Sequence, residues 1–544
     1  MNGFLNFADR SYKLTGRKDY GEVSIIFSGE LYNKIEISKQ FDRDVSVEEL
    51  VFRLYQKHKE KFIAGFDGDF NLVLFDRGCD RIFLFQDLTA LTPLLYHFDG
   101  YKLIFGHDYS YFRSHLPIQI DYEGLSSYLR FEYFKEGQTM LKGVRLIPPG
   151  HYLEVSQSGC RLFCYYKPAP AAPVRSINEA AESLRDLAVH ALKKRLHTGS
   201  LDLMYSGGLD SSALLAAADL AGISTRTFSL RFSEPGFDEG TYRYEMLSGR
   251  IEHQEFLVTL KNYAEELQKL IVSGVQGCAF GQDHAAFLSA ISAFCLNSSL
   301  FFGLPADEWF FGYPFMSSAV IAKRRVNQVS ALFSAGIPDN PDRPGIVRHL
   351  KMEFLPVLRH HTDYLVRRLS DQEIIELMGV EYLSPDPETL PDNPEEFFRS
   401  LILFQYKNSL PGNNYLKLHS IGTLSGNKIQ LPFSDLSILE FALSLPFELA
   451  VSERQRKFIL SRAFPEIPAI IRSRRKQGFQ IPLNAWIRSR ELSFIREYLH
   501  DHAVTLKIPH DMIERFYTDT VKPEESAEKI WMLFAALLMV NSLK

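Results

Sequence analysis

Along residues 1–166, apolar and polar positions change over short runs. Val23–Phe27, Phe70–Phe75 and Arg81–Phe85 are short apolar segments broken by Gly and Asp, and they predict strands. Ser46–Phe62 and Tyr122–Phe131 carry apolar residues at helical spacing and predict helices. Pro168–Val174, reading PAPAAPV, predicts a stiff linker. Beyond it, Asn178–Leu196 is helical in pattern and Leu201–Tyr205 is a short apolar strand. Strand and helix patterns then alternate to about residue 304, the signature of a parallel sheet covered by helices. The remainder is mainly helical in pattern. The expected fold class is therefore α/β, in three parts: a β-rich region 1–166, a linker 167–177, and an α/β unit with a helical C-terminal part, 178–544.

Composition narrows the function classes. The chain has 544 residues, 46% of them hydrophobic and 23% charged, the balance of a folded globular protein of two large domains or more. A net charge of -5 advertises no nucleic-acid surface. Cys79, Cys160, Cys164, Cys278 and Cys295 are sparse and lack paired CxxC spacing, against a disulfide framework or a zinc site. Cys160 and Cys164 read as two thiols near a strand. No apolar run reaches the roughly 18–20 residues of a membrane span, and MNGFLNFADRSYKL is no signal peptide. The expectation is a cytoplasmic protein with neither nucleic acid nor membrane as partner.

The sharpest chemical signal is Tyr205-Ser-Gly-Gly-Leu-Asp-Ser-Ser212, set between an apolar strand and the apolar helix pattern Ala213–Leu220. Gly207 and Gly208 let the backbone approach an anion closely, and the N–H groups of the following helix start point at it. Ser206, Ser211 and Ser212 add hydroxyls, and Asp210 is a hard oxygen ligand suited to Mg²⁺ held with phosphates. No GK[ST] follows, so this is not the lysine-bearing loop of kinase-like NTPases. An ordinary Gly-bearing turn explains a bare SGG; it does not explain SGGLDSS in this setting.

SGGLDSS resembles the PP-loop of the ATP pyrophosphatase superfamily, whose enzymes split ATP into AMP and pyrophosphate. More of the chain is similar to one branch, the asparagine synthetase family. Thr227–Glu239 (TFSLRFSEPGFDE), Gly303–Tyr313 (GLPADEWFFGY) and Lys476–Trp486 (KQGFQIPLNAW) look like that family's successive motifs. Phe66–Phe105 and Asp121–Tyr152 resemble its N-terminal half, an Ntn-hydrolase-like β-sandwich with glutaminase activity, and Leu146–Leu153 (LIPPGHYL) is a close local match. The resemblance implies that ATP and Mg²⁺ are the cofactors and that Asp210 and Asp307 hold the metal against pyrophosphate. It implies that Ser229 and Gly303 lie near the nucleotide. It also makes Lys476 the catalytic ammonium that stabilises charge on the acyl oxygen and α-phosphate as an amine attacks an acyl-adenylate. By themselves, Asp307-Glu308 would read as a solvated turn, and Lys476 as one more charge in the run Arg472-Ser-Arg-Arg-Lys476.

The departures are as informative. Glutaminase activity needs an N-terminal thiol, and position 2 is Asn2. Where the family has NGExYN, this chain has Ser28-Gly-Glu-Leu-Tyr-Asn33, and Gln86 replaces the Arg of the next pocket segment. Leu304 stands where asparagine synthetases carry Glu, and Lys428 falls about where β-lactam synthetases carry the Glu of a base pair. The family's general base is thus missing; His419 and Tyr415 are weak substitutes. An inactive glutaminase-like domain joined to a synthetase resembles the branch of β-lactam synthetases and lasso-peptide cyclases. The expected activity is an amide-bond synthetase that adenylates a carboxylate and couples it to an amine, most like a macrolactam-forming lasso cyclase. The substrate would carry that carboxylate, a precursor peptide being one form, and a pathway protease or peptide-recognition protein is the natural partner. A homodimer stays open. Two other readings are an asparagine-synthetase-like amidotransferase using free or partner-supplied ammonia, and a non-catalytic ATP-binding partner protein.

Overall fold

The structure is a computed structural model. It describes residues 1–321 and 368–543, less Arg10, 42–44, Glu136, 197–198, Glu239, 248–250, 274–278, Cys295, 297–298, 314–315, 318–319, 380–381, 383–390, Asp392, 451–456 and 475–479.

The first region is two antiparallel sheets packed face to face. One has the strand order Tyr12–Leu14, Asn2–Asn6, Lys102–Gly106, Leu95–Phe98, Val144–Leu146. The other runs Gly159–Cys164, His151–Ser156, Arg81–Gln86, Gly68–Asp76, Val23–Leu31, Lys18–Tyr20. Between them lie Leu5, Ile26, Val73, Leu84, Leu103, Phe105 and Val155, all buried. The alternating side chains of the second sheet, among them Ile25, Leu72, Leu74 and Phe83, pack under the helix Val47–His58 through its Leu50, Val51 and Leu54. Ser46 caps that helix by accepting the Glu49 N–H. The pattern of residues 1–166 thus closes as a sandwich with both faces of one sheet covered, which is why its strands read as nearly continuous apolar runs.

Cys160 and Cys164 sit exposed on the edge strand Gly159–Cys164. After residue 166 the chain runs without regular structure to the helix Ile177–Arg195, which Ser176 caps through the Glu179 N–H. Tyr166 Oη donates to Glu440, and Ala171 N donates to the Glu440 carbonyl at 3.1 Å, so this stretch is pinned to the second half.

The second region is a parallel sheet ordered Glu252–Val258, Ser224–Phe232, Ser200–Met204, Ser299–Phe301, Lys428–Gln430. Its first strand in sequence, Ser200–Met204, is central, and the chain fills one side of it before the other. That reversal leaves a crevice beyond the carboxyl ends of the strands, the usual ligand position in open α/β sheets. Helices dominate the remainder of the described residues, ending in Pro523–Asn541, which is buried along most of its length. No helix among the described residues is long and apolar enough to cross a membrane.

The two halves share one core. Leu125, Tyr128 and Leu129 of the helix Tyr122–Phe131 belong to the same buried cluster as the helices of the second region. Charge reinforces the seam. Glu132, at the end of that helix, accepts from Lys417 at 2.6 Å and from Arg368 Nε at 2.8 Å. Arg195 donates to Asp435 at 2.8 Å and stacks its guanidinium over Tyr32 of the first half at 4.8 Å. Lys428 forms an ion pair with Glu30.

Candidate active site

The strand Ser200–Met204 delivers Tyr205–Ser212 to the crevice, and the helix Leu209–Leu220 leads away from it. Gly208 is its N-cap with no side-chain cap, so the first-turn N–H groups remain available to an anion. Gly207 has φ +73°, and an added Cβ would lie 2.8 Å from the Arg243 backbone N, so both conformation and space demand glycine there. The loop is braced from within: Gly208 N donates to Ser206 Oγ at 3.2 Å, and Ser211 Oγ donates to the Gly208 carbonyl at 3.2 Å.

A cavity of about 1010 Å³ opens over this loop. Ser206, Gly208, Asp210, Ser211, Gly303 and Leu304 line it, as do Lys457 and Arg474. Ser212 and Ser229 lie beneath the loop instead. Ser212 Oγ is 3.4 Å from Tyr205 Oη, and Ser229 Oγ donates to the Tyr205 carbonyl, so both position the loop from behind. Gly303 packs against Asp210: a Cβ there would fall 2.8 Å from the Asp210 Cβ. Lys476 lies outside the described residues.

The centre of the site is a lysine that motif reading passed over. Lys457 is buried, and its ammonium reaches both Asp210 and Asp307, the latter at 2.5 Å. Lys457 has φ 48° and ψ 42°, a left-handed conformation that a non-glycine residue keeps only when its surroundings require it. Gly312 makes room for the pair, since a Cβ there would meet Asp307 Oδ1 at 1.7 Å and Lys457 Cε at 2.2 Å. The sequence carried one faint signal, a basic stretch directly before an apolar helix, and such stretches usually lie on the surface. Arg472 and Arg474 likewise face the cavity, and Arg474 Nη1 donates to the Gly207 carbonyl at 3.4 Å.

The acidic motif is buried with its neighbours. Glu308 accepts from Tyr313 Oη at 2.9 Å and from Asn414 Nδ2 at 3.3 Å. Burial, and then the charge of Asp307, raises the Glu308 carboxyl above the ordinary carboxylate range.

The suggested bases are elsewhere. His419 is half-buried beside His107, ring centroids 6.2 Å apart, and is not on the cavity wall. Burial above all drives it down to about 4, so it is neutral at pH 7 and a feeble base. Tyr415 is buried, raised well above 10 chiefly by desolvation, and also off the cavity wall. Lys428, standing about where a Glu was expected, pairs with Glu30 and is likewise off the cavity wall.

Of the first-half residues singled out by their departures, Asn2 is half-buried and Gln86 buried. Asn2 lies in the second strand of its sheet, opposite Gly106. Gln86 is fully buried: its Oε1 accepts the Leu94 N–H at 3.0 Å and its Nε2 donates to Thr92 O and Asp87 Oδ1, both at 3.2 Å. Asp87 is consumed by the backbone N–H groups of Phe70 at 2.7 Å and Thr89 at 3.0 Å.

A glycine-bearing loop at the switch of a parallel sheet faces two carboxylates and a buried lysine, a setting that accords with an ATP-using carbon–nitrogen ligase, the class its family fixes. The chain belongs to the asparagine synthase family, whose model matches residues 183–542; a glutamine amidotransferase domain model matches residues 16–166. Asparagine synthetase [glutamine-hydrolyzing] 1 of Bacillus subtilis is 22% identical, across 94% of this chain and 84% of its own length. Asparagine synthetase [glutamine-hydrolyzing] 3 of the same organism is 23% identical, across 84% and 75%. A putative asparagine synthetase [glutamine-hydrolyzing] of Mycobacterium bovis is 21% identical, across 86% and 76%.

Proposed function

We propose that the chain adenylates a carboxylate with ATP, releases pyrophosphate, and transfers the acyl group to an amine that it does not obtain from glutamine. The observation that carries this reading is the single cavity in which the SGGLDSS loop, Asp210 and Lys457 face an apolar wall containing Leu304. The loop N–H groups and Lys457 would hold the β,γ-phosphates while the α-phosphate is attacked. Lys476, in the motif that follows Arg474, would supply the charge for the acyl-transfer step. Leu304, Phe287 and Phe302 make part of the cavity wall apolar, as the carbon skeleton of a bulky or peptidic substrate would need. We therefore favour a lactam- or macrolactam-forming synthetase of lasso-cyclase type.

Mg²⁺ fits the site. One ammonium reaches both Asp210 and Asp307, so the two carboxylates share a single cation position built of hard oxygens. Asp210 and Asp307 would hold the ion, which when bound neutralises phosphate charge.

One observation favours a second reading, ammonia-dependent amidotransfer to a small acid: the relatives named above are asparagine synthetases. A pyrophosphate-release screen separates the two. Peptides bearing a side-chain carboxylate and a free amine should drive release, and aspartate with ammonium should not. Release with aspartate and ammonium alone would install the second reading.

A further inference from the structure

The cavity holds a carboxylate that nothing above uses. Asp283 lies on its wall, and Asp283 Oδ1 is buried with no hydrogen-bond partner. His284 Nδ1 is 3.6 Å from it but already accepts the Gly281 N–H at 3.0 Å, so it turns a lone pair towards Asp283, not a proton. Lys417, also on the cavity wall, pairs with Glu132 at 2.6 Å, and against the cost of burial His284 and the Lys417 charge hold the Asp283 carboxyl below its ordinary value, so it is ionised. The position of Asp283 is fixed by its loop: Tyr128 Oη donates to the Phe280 carbonyl at 3.1 Å and Tyr263 Oη to the Gln282 carbonyl at 2.9 Å. Gly281 leaves the carboxylate its room, for a Cβ there would sit 2.3 Å from Oδ1. The Asp283 side chain is 29% exposed at the cavity wall while one of its oxygens is buried unpaired, a costly arrangement that a cationic ligand on the open side would relieve.

Its surroundings say what kind of ligand. Asp283 opens the helix His284–Ala293, and Phe287 stands one turn on, facing the cavity. The Phe287 ring packs edge-on against Phe302 at 5.8 Å, and Phe302 leads through Gly303, which touches Asp210, to Leu304. The carboxylate is thus joined to the phosphate loop by a continuous apolar wall. An anion beside aliphatic and aromatic surface suits an ammonium on a carbon chain, with the aromatic faces favouring the same charge.

We propose that Asp283 receives the primary ammonium of an alkylamine substrate, which rests its carbon chain on Phe287, Phe302 and Leu304. This deepens the ligase reading and rests on it: the ammonium end anchors the substrate at Asp283, while its chain points the other end at the phosphate loop.

The test is calorimetric titration of the full chain with n-butylammonium chloride, n-butanol and ammonium chloride. Butylammonium should bind saturably, and at least tenfold more tightly than either butanol or ammonium. Asp283→Asn should weaken it at least tenfold while ATP affinity and the thermal midpoint stay put; Asp283→Glu should restore part of the loss. Leu304→Ala should narrow the gap between butylammonium and ammonium, and it serves if Asp283→Asn does not fold. No saturable binding, equal binding of ammonium, or undiminished binding by folded Asp283→Asn each overturns the proposal. Failure of the pyrophosphate screen would count against the ligase reading and leave this titration to be judged by itself.

Discussion

The two halves carry family motifs of similar legibility, yet they treat their polar groups in opposite ways. In the first half, Gln86 and Asp87 are buried and spend their hydrogen bonds on backbone and on each other. In the second half, Asp210, Lys457, Arg474 and Asp283 face a cavity of about 1010 Å³. A polar residue whose bonds are all internal holds a fold together. One that is kept towards an opening, at the cost of desolvation, is available for a substrate. The first half holds these groups in the sandwich; the second holds its own at a cavity.

The comparison can be broken from its strongest side first. Lys476→Ala should cut amide formation by roughly 10²–10³-fold, about 2.7–4 kcal/mol of barrier, while ATP binding stays near normal. Lys457→Met should differ in kind, because Lys457 touches Asp210 and Asp307 and its loss should appear in ATP affinity itself. Full amide synthesis by Lys476→Ala would return that lysine to the surface.

The seam between the halves is the next target. Burial pushes the Glu132 carboxyl up, but Lys417 and Arg368 outweigh it and hold it at about 2. A depressed carboxyl stabilises the fold above its unfolded value near 4.5 and loses that contribution as pH falls towards about 2. The window amounts to about 3 kcal/mol by linkage. Thermal midpoints measured between pH 5 and pH 2 should fall in the native chain and fall less steeply in Glu132→Gln, which begins lower. Parallel curves would remove Glu132 from the account.

Smaller effects follow at the phosphate loop and at Asn2. Asp210→Asn should weaken use of Mg·ATP by roughly tenfold or more, at least about 1.4 kcal/mol; an unchanged KM for ATP would contradict its placement. Asn2→Cys should change nothing measurable with glutamine, because Gln86 still occupies the position where a guanidinium would be needed. Glutamate release by that variant would show the first half to be one substitution from activity.

Much of this was readable beforehand. Val23–Phe27, Phe70–Phe75 and Arg81–Phe85 became the longer strands Val23–Leu31, Gly68–Asp76 and Arg81–Gln86, and the helix Tyr122–Phe131 fell where its spacing put it. The strand expected at Leu201–Tyr205 runs Ser200–Met204, and the helix expected from Ala213 begins at Leu209, because the loop's own residues form its first turn. Ser46–Phe62 divides at Lys59, where φ is +51°, into an α-helix and a 3₁₀ stretch. The candidate site was legible where backbone shape matters, at Gly207, Gly208 and Gly303. It was illegible where a side chain arrives from far along the chain. Lys457 meets Asp210 across 247 residues, and no local spacing announces such a meeting. His419 and Tyr415 failed as substitutes for the same reason: packing sets both off the cavity wall, His419 beside His107, and Lys428 pairs with Glu30.

The most direct test of the account is the fate of ATP. With an accepted carboxylate and amine, phosphorus NMR of the full-length chain should show AMP and pyrophosphate rising one for one with the amide, and added glutamine should yield no glutamate. ADP and phosphate as products, or steady glutamate release, would contradict it.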